Sequence, residues 1–261
     1  VLKAFVELSV KLGLKNYPVH IKFNTGLNRL GFPHESSGLI AKSLLQRKSL
    51  KIKSIFSHLA ASEDLNEKSF TKHQIEAFDK ASKSFGLSYG EMPIRHLSNT
   101  SGVLNFPSAN YEMVRCGIGL YGYDNNFKKT TFLCPVASLK TIISQIHEIN
   151  KGESVGYNRA FFANDVKKIA TLPIGHADGI DRKYGNGVGR VVIRGAVAPI
   201  VGNVCMDMIM VDVSNISCSE GDEVVIFDET TTAQDLSEKA GTIAYELLTA
   251  ISKRIKRKIV K

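Results

Sequence analysis

With 261 residues, 43% of them apolar and 23% charged, the chain has the composition of a globular protein and enough length for one large core or two smaller ones. It has no run of eighteen apolar residues, which excludes a transmembrane helix, and its opening, VLKAFVELSVKLGLK, lacks the small-residue cleavage site that ends a signal peptide. The net charge of +9 is concentrated in the tail from Lys253 to Lys261, where six basic residues and no acidic one leave +3 for the rest; no aromatic residue interleaves those charges, so a solvated tail is expected, with neither nucleic acid nor membrane as partner.

The opening segment reads as a helix, with Leu2, Phe5, Val6, Leu8, Val10, Leu12 and Leu14 on broad apolar faces broken by lysines. From there to about residue 127, β-rich runs alternate with helical ones: PVHIKF, a helix near Ser37 to Arg47, SIFSH, a helix near Thr71 to Phe85, IRHLS, a short helix, and MVRCG. The alternation predicts parallel strands joined by helical crossovers. Polar residues follow these strands, namely Asn24 to Arg29, His58, Asn99 and Thr100, and Arg115 to Ile118. Strand C-terminal ends are where α/β barrels and open sheets bind ligands. Four strand-helix units are fewer than the eight of a closed barrel, so the sheet is either open or part of a larger barrel.

After YGYDNNFKKT the texture changes. CPVASLKTIISQIHEI, KKIATLPI, GRVVIRG, APIVGNVCMDMIMVDVS and DEVVIF read as strands separated by turn residues, giving a mainly β domain over 128–261 behind an α/β domain over 1–127. Helical pattern returns in TTAQDLSEKAG and GTIAYELLTAIS, each introduced by a threonine suited to capping. Cys116, Cys134, Cys205 and Cys218 show neither CxxC spacing nor the density of a disulfide scaffold; reduced thiols in a cytoplasmic protein are expected, and no metal site.

The candidate chemistry-bearing residues are Lys22 and Arg29 around TGLNRLG, His58, Arg115 in VRCGIGLYG, Tyr157 in GESVGYN, His176 in GHADG, and CMDM at 205 to 208. Taken singly, each is more often a solvated or internally satisfied side chain than a catalyst. Thr100 and the glycines at 117 and 119, which follow consecutive strands, suit hydroxyl and backbone N–H donors around a phosphate.

Read as a series, VHIKFNTGLNRLGF, SHLAASED, HLSNTSGVLNFP, VRCGIGLYG, GESVGYN, LPIGHADGIDR, PIVGNVCMDMIMVDV and GTIAYEL resemble the alanine racemase family in order and spacing, from the first residues to about Tyr245. The resemblance implies the later strands of a TIM (β/α)8 barrel followed by a mainly β domain, with pyridoxal 5'-phosphate at the barrel mouth. It also implies a head-to-tail homodimer in which the β domain of one subunit completes the site of the other. The implied activity is interconversion of L-alanine and D-alanine for peptidoglycan synthesis in the cytoplasm. The alternatives are a racemase of serine or another small amino acid, and a non-catalytic relative that binds the cofactor.

Racemisation must remove an α-proton from one face and return one to the other, so two bases must flank the substrate carbon. By the resemblance, one is Tyr157, a phenol with an ordinary pKa near 10 that needs the help of His58 as its orienting partner. The family's other base is the cofactor-bearing lysine, in a motif resembling KANAYGHG. These 261 residues contain no such motif, so the isolated polypeptide is expected to be inactive. Arg115 matches the arginine facing the cofactor's pyridine nitrogen, and Arg29 the one near its phenolic oxygen and the substrate carboxylate. Lys22 matches a lysine that is carbamylated in many members and then pairs with that second arginine. For the phosphate, Thr100 stands where serine is common, with the backbone of Gly117 and Ile118 and the phenol of Tyr245 beside it. Met206, through its backbone, and Asp207 match residues shaping the substrate side of the pocket. His176 departs from the family's usual tyrosine, changing donor, size and titration behaviour at the inner substrate entrance.

Overall fold

The computed structural model describes residues 1–124 and 132–260, which form a first unit over Val1–Leu120 and a second from residue 132 onward that also takes in Tyr121–Tyr123. The boundary expected between residues 127 and 128 lies outside the described residues. In the first unit, α1 (Leu2–Lys11) places Lys11 in its last turn, where a cation complements the helix dipole. It is followed by β1 (Tyr17–Asn24), β2 (Phe32–Pro33), α2 (Ser37–Leu45), β3 (Leu50–Phe56), α3 (Lys68–Tyr89), β4 (Ile94–His96) and α4 (Thr100–Asn105). All strand pairs are parallel, in the order β2-β1-β3-β4, half the strands of a closed eight-stranded barrel. Ile21, Phe23, Ile52 and Ile55 of the sheet pack with Ala41 and Leu44 of α2 and Phe78, Ala81 and Phe85 of α3 in one buried cluster.

Two expectations for this unit are corrected, and one strand is new. MVRCG is not a strand: the segment is irregular, with the Arg115 N–H bonded once to the Ser98 carbonyl at 3.0 Å, while Glu112 just before it is held by the Arg95 side chain at 2.6 Å. The helix read over Thr71 to Phe85 runs on through Tyr89 and stops at Gly90, whose φ of +93° is the left-handed conformation that ends helices. Phe32–Pro33 pairs with the end of β1 as a short strand; Gly31 permits this with φ +124°, since a Cβ there would meet the backbone of Phe23 and Asn24 at 2.8 Å.

A bulge decides which side chains face which way. Val19 pairs with Ile52 but His20 pairs with Ser54, so Lys53 is an extra residue of β3. The extra residue flips the alternation. Leu50, Ile52 and Ile55 therefore all reach the same core, while Ser54 and Phe56 turn to the face that carries His20 and Lys22.

In the second unit β5 (Leu139–Ile142), β6 (Gln145–Ile149), β9 (Lys167–Leu172), β10 (Arg190–Ile193), β11 (Ala196–Val201), β12 (Ile209–Asp212) and β13 (Glu223–Phe227) form an antiparallel sheet in the order β5-β13-β10-β11-β12-β9-β6. Between β6 and β9, β7 (Ser154–Val155) and β8 (Phe161–Phe162) make a small hairpin. Two runs that read as single strands are broken: Ile143 and Ser144 separate β5 from β6, and residues 202–208 separate β11 from β12. Helix α5 (Ala233–Lys239) is capped as expected, the Thr232 hydroxyl accepting from Asp235 N–H at 3.1 Å and the Asp235 carboxylate accepting from Thr232 N–H at 3.2 Å. Thr242 is not a cap. Helix α6 (Ala244–Ala250) starts behind Ile243, and the Thr242 hydroxyl bonds the Glu246 carboxylate instead.

Candidate active site

The register of the parallel sheet places Lys22, Phe56 and His96 side by side on β1, β3 and β4. His96 stacks on Phe56 with centroids 4.8 Å apart and planes 10° apart, and the Lys22 Nζ lies 5.8 Å from the centre of the same ring. Arg115 comes to this row from the segment after α4, its guanidinium 5.3 Å from the Phe56 centroid. Its Nη2 donates to the carbonyls of Ser57 at 2.7 Å and Leu97 at 3.2 Å and to His58 Nδ1 at 3.1 Å, and its Nη1 to His96 Nδ1. No carboxylate is among these acceptors, and among the described residues Nε–H has no acceptor.

His58 follows β3, and its loop is clamped by the buried Gln74 of α3, which accepts from Ala60 N–H at 2.9 Å and donates to the His58 carbonyl at 3.3 Å. Burial and then the Arg115 charge, joined by those of Arg29 and Lys22, push His58 down to about 4. Burial, Arg115 and His20 push His96 down to about 4 as well. Both imidazoles are neutral at physiological pH. Since an arginine can only donate, His58 Nδ1 is the acceptor and its proton sits on Nε2. Lys22 is lowered by burial and by the charges of Arg29 and Arg115. Every charge that shifts Lys22 and His58 is positive, so this face of the sheet is electrostatically suited to an anion.

Beside it, the buried Thr100 Oγ1 accepts from Gly117 N–H at 3.1 Å and Gly119 N–H at 3.2 Å. Two accepted bonds fill the hydroxyl's lone pairs and leave its own proton to give. The Gly117 N–H expected to face a phosphate is thus engaged by Thr100. Next to Thr100, the buried Ser101 hydroxyl has no hydrogen-bond partner among the described residues, a cost that a ligand oxygen would relieve. Ile118, expected beside them, is buried. Arg29 is exposed on the loop after β1, where the Asn24 side chain accepts from Gly26 N–H at 3.2 Å and Asn28 N–H at 3.0 Å and so fixes the turn.

Within the second unit the loops gather another group. Tyr157 is the tip of the β7-β8 hairpin, between Gly156 at φ +78° and Asn158 and Arg159 at +59° and +50°, and it is 74% exposed. The Asn203 amide donates to its carbonyl at 3.0 Å, tying the tip to the loop between β11 and β12. That loop also carries Met206 and Asp207, and it meets GHADG directly: His176 N–H donates to the Cys205 carbonyl at 3.0 Å and Ala177 N–H to that of Met206 at 2.8 Å. The approach requires Gly175, where a Cβ would lie 2.5 Å from the Cys205 oxygen. Tyr157, His176, Met206 and Asp207 thus share one exposed end of the unit, and Tyr245 is the second residue of α6.

Lys22, His58, Thr100 and Arg115 are brought together in the first unit. The sequence reading missed His96, Ser54, Phe56 and Gln74. The first three stand at alternate strand positions, in line with residues it did single out, and that spacing was the available signal; Gln74 carried none beyond being polar on an apolar helix face.

The family model described as "Alanine racemase, N-terminal domain" matches residues 2–125, and that for "Alanine racemase, C-terminal domain" matches residues 136–259. The alanine racemase of Cutibacterium acnes is 37% identical over 98% of this chain and 69% of its own length; that of Clostridium novyi is 38% identical over 93% and 65%. Among solved structures, the alanine racemase of Bartonella henselae with covalently bound pyridoxal phosphate superposes with a TM-score of 0.86 at 30% identity, covering 99% of this chain and 70% of that one. The Bacillus anthracis alanine racemase with bound L-Ala-P gives a TM-score of 0.86 at 29% identity, covering 97% and 67%. The chain spans about two thirds of the length of these relatives. It belongs to the alanine racemase family.

Proposed function

We propose that the product of the complete reading frame interconverts L-alanine and D-alanine with pyridoxal 5'-phosphate, in the cytoplasm, as a head-to-tail homodimer. The observation that carries this reading is a face with three cations, Lys22, Arg29 and Arg115, in which no carboxylate of the described residues neutralises Arg115. The donor set suits the cofactor: a threonine hydroxyl with only its proton to give and an unpartnered serine hydroxyl suit phosphate oxygens, and an arginine Nε–H without an acceptor suits a ring nitrogen.

When bound, the cofactor supplies the electron sink that acidifies the substrate's α-hydrogen. Thr100, the Ile118 backbone and Tyr245 would hold the phosphate, with the Gly117 N–H instead fixing the Thr100 hydroxyl. Arg115 would meet the ring nitrogen as a donor that does not surrender its proton. Arg29 would take the substrate carboxylate, and Lys22, once carbamylated, would pair with Arg29; its lowered pKa keeps more of the amine neutral and reactive toward carbon dioxide. His58, with its proton fixed on Nε2, has a donor to give the phenol oxygen of Tyr157 from a second copy, lowering the cost of the phenolate that takes the α-proton. Met206, Asp207 and His176 of that copy would line the substrate side. The base on the opposite face is the family's lysine, which these 261 residues do not contain.

The test is D-alanine formation from L-alanine together with the visible absorbance of the bound cofactor. Both signals, with turnover lost in Tyr157→Phe, are the expected result. Cofactor binding without turnover of alanine or serine would make the chain a non-catalytic relative, and neither signal would overturn the reading.

A further inference from the structure

Beside the row of Lys22, Phe56 and His96 runs a second one, in which His20 of β1 pairs with Ser54 of β3. Ser54 and His96 are 1% and 4% exposed. The Ser54 Oγ lies 2.7 Å from His96 Nε2 and 2.5 Å from His20 Nδ1. His96 lies flat on Phe56, and the His20 ring stands edge-on to it at 6.1 Å.

The direction of this chain is fixed at one end. Arg115 Nη1 has hydrogens and no lone pair to offer, so His96 Nδ1 must accept. A neutral His96 then carries its proton on Nε2 and donates to Ser54, whose hydroxyl is also hydrogen-bonded to His20 Nδ1. His96 is thereby held in one tautomer, and Ser54 is pinned between two imidazoles. The groups facing His96 are His20 and Lys22 from β1, Ser54 and Phe56 from β3, and Arg115; none is a carboxylate.

Arg115 needs this support. Its Nη2 is held by two carbonyls and His58, whereas the partner of Nη1 is His96. Holding both terminal nitrogens fixes the plane of the guanidinium, and with it the direction of Nε–H. We infer that His96, oriented by Ser54 and His20, is a positioning residue that aims the Arg115 guanidinium. The inference rests on the racemase reading for its catalytic consequence, and on the hydrogen-bond chain alone for its structural content.

The experiment uses the cofactor-loaded product of the complete reading frame with 15N-labelled histidine. The His96 signal, assigned by its loss in His96→Asn, is expected to show a bare Nδ1 and a protonated Nε2. A protonated Nδ1, or titration of His96 as a free imidazole near pH 6.5, would overturn the inference. Kinetics of two variants give the second arm. His96→Leu removes the acceptor and is expected to lower kcat by about 10- to 100-fold with little change in KM, while His96→Asn, whose carbonyl replaces Nδ1, restores most of the loss. Equal kcat for Leu and Asn at equal thermal stability would overturn it. Should His96→Leu fail to fold, Ser54→Ala serves: a faster-exchanging Nε2 proton and a reduced kcat are expected, and no change in either contradicts the inference. Absence of turnover in the unsubstituted protein would count against the racemase reading, and the histidine spectrum would still decide this one.

Discussion

The two units hold their candidate site residues in opposite ways. On the parallel sheet the Arg115 cluster is partly buried, cationic and held by side-chain hydrogen bonds to carbonyls and neutral imidazoles. On the antiparallel unit Tyr157 is exposed, and backbone conformation holds it, three neighbours having positive φ and Asn203 bonding its carbonyl. The difference teaches where each region is vulnerable. Substitutions in the first should cost both fold and chemistry, because removing one partner strands buried acceptors; at the tip of the second they should cost chemistry alone.

The largest effect expected is on turnover. Tyr157→Phe should lower racemisation by about 10²- to 10⁴-fold, the range for loss of a general base, with the unfolding midpoint unmoved. A melting temperature that falls along with activity would break the contrast. Arg115→Met should do both, abolishing turnover and destabilising the first unit by at least about 2 kcal/mol in urea unfolding, since the Ser57 and Leu97 carbonyls lose their donor.

The contrast also explains what could be read in advance. Tyr157, His176, Met206 and Asp207 sit in loops whose motifs are contiguous in sequence, so the family resemblance could single them out, and the structure gathers those loops at one end of the unit. His96 and Ser54 carried only the alternate spacing along their own strands; the cross-strand register and the bulge at Lys53 that bring them together are not written locally. The parallel sheet followed from the alternation of β-rich and helical runs and the β-rich second unit from runs separated by turn residues, whereas the barrel reading came from the family resemblance. MVRCG misled because its apolar residues resemble a strand, whereas the segment meets Ser98 through the Arg115 N–H without continuing the ladder. Thr242 misled because its hydroxyl prefers the Glu246 carboxylate to the helix backbone.

Two smaller effects sharpen the comparison. Gly31→Ala should cost about 1–3 kcal/mol, because φ +124° and backbone atoms 2.8 Å from the new Cβ leave it no relaxed conformation; calorimetric melting would register it. The pH dependence follows from His58 and His96, whose folded pKa values of about 4 lie below the ordinary 6.5. Between those values the unfolded chain binds more protons than the folded one. The stability they contribute is therefore complete above pH 6.5 and is lost as pH falls toward 4. Urea midpoints from pH 7 to 4.5 should fall, and the slope should shrink in Arg115→Met, where the repelling charge is gone.

The central claim is that the cationic cluster of one copy and the Tyr157 loop of another form a single racemase site. Co-expressing Tyr157→Phe and Arg115→Met versions of the complete reading-frame product tests it directly, because a mixed dimer then holds one site with both groups intact. D-alanine formation by the mixture, where neither variant alone turns over, is the result expected. Mixed dimers as inactive as their parents would contradict the account.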